Sequence, residues 1–146
     1  MATPTTWIVA ADASRARVLQ VMDRNRLEEV ENLLNPEGRL HGRDLVTDSN
    51  PRFSGTDGPG NDREEMSPPE IEAAKFCKEI GRYLDQARMQ HRYDRLYLMA
   101  PPRFLGMIRK ELGKEVEKLV VEELDKDVSW FNAREIERYL DDNARR

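Results

Sequence analysis

Residues 94–112, DRLYLMAPPRFLGMIRKEL, decide how the rest of the chain is read. An apolar run, Leu96-Tyr97-Leu98-Met99-Ala100, stops at Pro101-Pro102. From Phe104 the spacing changes: Leu105, Ile108 and Leu112 share one face of a helix of about two turns, which Gly113 ends. A short buried strand feeding a helix through a tight turn is the core unit of an α/β sheet.

Upstream, residues 7–12 (WIVAAD) read as a buried first strand. Residues 15–22 (RARVLQVM), after a turn at Ala13-Ser14, read as a second, and 27–34, after a turn at 23–26, as a third. Connections this short leave an antiparallel meander. Residues 35–66 hold five of the eight glycines and three of the eight prolines. Such a long connection without a regular pattern is usually functional or mobile. We expect a Gly-rich loop over about residues 36–66, with a short helical turn near 39–45 and mobility over 54–61 (SGTDGPGN).

Ser67-Pro68-Pro69-Glu70 is a capping box with proline in the first turn. The helix it opens is predicted to run about 24 residues, with Ala73, Phe76, Cys77, Ile80, Leu84 and Ala87 on its buried face. Downstream of Gly113, residues 114–118 suit a helical turn and 119–124 a last strand. Asn132-Ala133-Arg134-Glu135 is a second capping box, with Phe131 and Ile136 placed for a hydrophobic staple. Ile136, Tyr139 and Leu140 supply the buried face of that final helix, and residues 141–146 are expected to fray. The order is three strands, loop, then αβαβα, and right-handed crossovers make the fourth and fifth strands parallel. The prediction is α/β: a mixed five-stranded sheet of ribonuclease-H-like topology, an antiparallel three-strand meander at one edge. It is a single domain over 1–146, with loose termini at 1–5 and 142–146.

The length of 146 residues is that of one domain. A net charge of −4 disfavours sequence-independent binding of naked nucleic acid, although a local basic patch is compatible with it. Cys77 is the single cysteine, so no intramolecular disulfide and no multi-thiolate zinc site can form. No apolar run approaches the ~18 residues of a membrane span, and the N-terminus lacks the pattern of a signal peptide. A reduced, cytoplasmic protein is expected.

Three convergent carboxylates would suggest a two-metal nuclease. Asp12 ends the first strand, but the central strand has no acid at its C-terminal end, so Asp12 reads as the start of a turn. No metal, cofactor or catalytic set is expected. Histidine occurs only at His41, in the loop, and His91, at the end of the long helix, where the dipole favours it. Arg39, His41, Arg43, Arg52 and Arg63 set basic groups along the loop, where guanidinium forks suit phosphate. Seven acids stand among the four arginines over 35–66, so local ion pairs compete with that use. Arg103 follows the central strand, where open α/β sheets place ligands, and is a candidate polar contact. Cys77 reads as a buried, inert thiol.

The pieces WIVAADASRARVL, AAKFCKEIGRYLDQAR, YDRLYLMAPPRFLGMIRKEL and VVEELDKDVSWF together resemble the bacterial host attachment protein family, over residues 7–140. The most specific segments are residues 100–106 (APPRFLG) and 124–127 (LDKD). That family in turn resembles, distantly, the central domain of archaeal and eukaryotic peptide-chain release factors, whose loop carries Gly-Gly-Gln. Here residues 38–61 contain no such tripeptide, the nearest glycine pair being Gly58-Pro59-Gly60, and the only glutamines are Gln20, Gln86 and Gln90. Peptide release by that route is not expected. The resemblance implies a non-enzymatic binding module that meets a ribosome or structured RNA. The alternative is an interaction protein that supports attachment indirectly through a protein partner.

Overall fold

The computed structural model describes residues 3–36 and 67–144. The chain runs β1 (Thr6–Asp12), β2 (Arg15–Val21), β3 (Leu27–Leu34), α1 (Pro68–Met89), β4 (Arg95–Met99), α2 (Pro102–Glu111), α3 (Lys114–Leu119), β5 (Val120–Leu124) and α4 (Ala133–Ala144). The sheet order is β3-β2-β1-β4-β5. β2 pairs antiparallel with both β1 and β3, whereas β4 lies parallel to both β1 and β5. This is the α/β, ribonuclease-H-like sheet that the residue pattern predicts. The helical turn expected near 39–45 and the mobile stretch at 54–61 lie outside the described residues.

Boundaries differ by small amounts with local causes. α1 has 22 residues rather than 24. α2 starts at Pro102, ahead of Phe104, because proline needs no amide donor in a first turn. α3 extends through Leu119, so β5 begins at Val120. α4 runs to Ala144. Between β2 and β3, Arg24 (φ 61°) and Asn25 (φ 60°) are both left-handed, and the Arg26 amide donates to the Asp23 carbonyl. Two positive φ values match a type I′ turn, whose twist suits a hairpin.

Alternation along the strands divides the core in two. Trp7, Val9, Leu96 and Leu98 face α1, α2 and α3, packing with Phe76, Ile80, Leu84, Phe104, Ile108 and Val116. Ile8, Ala10, Leu19 and Met99 face the other way and meet Val128 and Ile136, beneath α4. Both capping boxes form. Ser67 and Glu70 bond reciprocally, and Asn132 Oδ1 accepts from the Glu135 amide while Glu135 accepts from the Asn132 amide, each at 2.8 Å.

The indole of Trp7 closes the lower end of the first core. It stacks on Tyr93 (centroids 4.9 Å apart) and Tyr83 (6.1 Å), and its Nε1–H donates to Gln20 at 3.0 Å. Buried Tyr93 donates its hydroxyl to the Leu84 carbonyl, 2.8 Å away. Cys77 is buried on the inner face of α1, and desolvation first, then the charge of Glu111, pushes its thiol up to about 12. A thiol held protonated is a poor nucleophile, so the inert reading stands.

Two backbone features were invisible to periodicity. A β-carbon on Gly81 would lie 2.6 Å from the Glu111 carbonyl oxygen, so α1 and α2 touch where only glycine fits. At the end of α1, the His91 amide donates to Arg88 O and the Arg92 amide to Ala87 O, both at 2.9 Å, with His91 at φ 58°. That is a Schellman ending with histidine in the place that favours glycine.

Gly81→Ala gains ~1 kcal/mol of helix propensity but meets a backbone atom, and overpacking of ~1–3 kcal/mol wins. We expect a lower urea midpoint for that variant. His91→Gly removes left-handed strain and is expected to raise stability by ~0.5–1 kcal/mol. A midpoint unchanged or lower for His91→Gly would contradict the strain assignment.

Candidate functional site

The carboxyl ends of β1, β4 and β5 lie side by side, and five stretches of chain meet along that edge. They are the β1–β2 turn, the start of α2, the loop 125–132, the end of β3 and the start of α1. Asn35 ties the end of β3 there, its amide donating to Ser14 O (2.8 Å) and its Nδ2 to Ala13 O (3.0 Å). Arg103, in the first turn of α2, is ion-paired to Glu70 in the first turn of α1. The chain therefore leaves the described fold at Pro36 and returns at Ser67 on the same edge.

Asp12 organises this edge structurally. Its Oδ1 accepts from the amide of Ser14 (2.8 Å), the hydroxyl of Ser14 (2.9 Å) and the amide of Arg15 (3.0 Å), closing the turn. Its Oδ2 is 2.9 Å from the Ser129 hydroxyl, which is also 2.8 Å from Asp127 Oδ1. One hydroxyl carries one proton, so it serves one carboxylate at a time, and the Ser129 amide (3.3 Å) supplies Asp127 with a second donor. Among the described residues no group of three or more His, Cys, Asp or Glu side chains could hold a metal ion. The turn-forming role read for Asp12 is the one observed.

Loop 125–132 is held down by Arg17, only 5% exposed. Its Nη1 donates to the carbonyls of Ser129 (3.2 Å) and Phe131, and Nη2 lies 3.5 Å from Glu29 Oε1. A guanidinium buried this way has carbonyl and carboxylate partners in place of water. With the loop fixed, Arg15 sits over the ring of Trp130 at 4.6 Å from its centroid, a cation–π distance. Trp130 remains 56% exposed, and Leu34, the cross-strand partner of Arg15, is 63% exposed. Exposed Leu34 and Trp130 thus flank a half-buried Arg15 on a rigid base.

Of the residues singled out from sequence, Arg103 lies on this edge, while Arg39, His41, Arg43, Arg52 and Arg63 fall outside the described residues. Arg15, Arg17, Ser129 and Trp130 were not anticipated. Alternation offered one signal for the arginines: they share with apolar Leu19 the strand face opposite Ala16 and Val18. Ser129 and Trp130 carried none.

A family model described as protein required for attachment to host cells matches residues 7–140. An uncharacterised protein of Rickettsia prowazekii (strain Madrid E) is 30% identical over 71 residues, covering 47% of this chain and 47% of that protein. The chain thus matches about half the length of that relative. A solved chain described as an archaeal protein overlays 82% of this chain and 29% of its own length, at TM-score 0.43 and 11% identity.

The edge has a measurable electrostatic signature. Hydrogen bonding from the Ser67 amide holds the Glu70 carboxyl below its ordinary value, Arg103 adds to this, and partial burial opposes it. A carboxyl lowered on folding contributes stability above its unfolded value and loses it as pH falls through the folded one. The stability gap between the native chain and Glu70→Gln should be present at about pH 7 and narrow as pH falls below the ordinary glutamate range. Urea titrations across that range check this. A gap that persisted in acid would mean the charge is not what Glu70 contributes.

Proposed function

The chain belongs to the family of proteins required for attachment to host cells, and from that premise we propose that it is a non-enzymatic binding module that docks on a ribosomal or structured-RNA surface through the carboxyl edge of its sheet. The observation that carries this reading is Trp130, half exposed beneath Arg15 and fixed by the buried Arg17 clamp. An exposed indole on a rigid base suits stacking of an unpaired nucleobase, and arginine planes suit bases and phosphates alike. Arg103 stands on the same edge, and Arg39, His41, Arg43, Arg52 and Arg63 belong to the segment that leaves and re-enters it. With a net charge of −4 the attraction is local, so the aromatic contact has to supply what bulk charge does not. The absent Gly-Gly-Gln removes the chemistry of release factors but leaves docking intact.

Co-sedimentation with ribosomes from the same cell, at low and moderate salt, tests this reading. We expect association that survives moderate salt and weakens about fivefold or more in Trp130→Ala, the value of one stacked base. Absence of association at both salts would overturn the reading and turn attention to a protein partner that supports attachment indirectly.

A further inference from the structure

On the α4 side of the sheet, away from the edge just described, α4 leaves part of the surface uncovered. Glu137 draws the helix toward β3 by accepting from the Leu27 amide at 2.8 Å. What remains is a cavity of about 330 Å³ lined by residues of all five strands and α4, within the size range of small-molecule sites. Ile8, Tyr97 and Leu140 give it apolar surface, while carboxylates come from two walls: Glu122 from β5, Glu137 and Asp141 from α4. Arg95 is the single cationic side chain in the lining.

We propose that this cavity binds an aliphatic diamine or polyamine, its methylene chain on the apolar floor and its ammonium groups toward Glu122 on one wall and Glu137 and Asp141 on the other. Each part of that ligand answers a feature of the site. Three carboxylates against one guanidinium disfavour an anion. The apolar floor gains nothing from a fully hydrated inorganic cation but does gain from burying methylenes. Carboxylates on two elements favour charges separated by a spacer over a single charge. Glu137 keeps lone pairs for a second donor while its Oε2 holds Leu27.

The test is calorimetric titration of the full chain with spermidine. Glu122→Gln and the control Glu115→Gln, an exposed acid on α3, are compared with the native chain after circular dichroism shows both folded. Saturable binding at one site is expected, weakened about tenfold by Glu122→Gln, the loss of a charge-assisted hydrogen bond, and unmoved by Glu115→Gln. Hexaamminecobalt(III), which has the same charge and no methylene spacer, is expected to bind more weakly. The proposal fails if spermidine does not saturate, if Glu115→Gln weakens it as much as Glu122→Gln does, or if the cobalt complex binds as tightly.

Discussion

Strand β1 is the constraint on which the architecture rests. From Trp7 to Ala11 every residue is at most 1% exposed, so both faces of one strand have to be covered at once. Its backbone is satisfied by an antiparallel neighbour on one side and a parallel one on the other. The parallel partner requires a crossover, and the crossovers supply α1, α2 and α3 for one face. α4 arrives last and covers the other. Trp7 points to the first core, where it meets its tyrosine stack, while Ile8 and Ala10 face the second core beneath α4.

Much of this was legible because the signals are local. A capping box spans four residues, and both boxes in this chain formed as read. The buried face of α1 followed from a period of 3.6, and each of the six residues assigned to it is buried. What could not be read depends on distance along the chain. Gly81 looks like an ordinary helix interruption until Glu111 is brought against it. Arg17 is a charged residue in a strand until the carbonyls of Ser129 and Phe131, more than a hundred positions later, accept hydrogen bonds from it. Arg103 was singled out by its place after a central strand, but its partner Glu70 was read only as a cap. In the fold that one carboxylate does both.

The same carboxyl edge collects the two segments, residues 100–106 and 124–127, on which the family resemblance was chiefly read. APPRFLG turns the chain from β4 into α2, and LDKD opens the loop that carries Trp130. Their roles differ: the first sets a helix start and an ion pair, while the second anchors Asp127 to Ser129 and so presents an aromatic surface. Rigidity there comes from polar contacts that are almost all inward. Leu34 and Trp130 are the large apolar side chains left open to solvent there, beside exposed Arg103 and the charged start of loop 125–132.

Among the described residues the sheet ends in β3 on one side and β5 on the other. Open strand margins are templates for further pairing, and proteins guard them with charge. β3 reads LEEVENLL and β5 reads VVEEL: both margins bear paired glutamates. If two copies met margin to margin, they would set carboxylates against carboxylates across a spacing that punishes like charge. An acidic chain thus opposes margin-to-margin self-association, while Glu29 and Glu123 also serve the fold through Arg17 and Arg109.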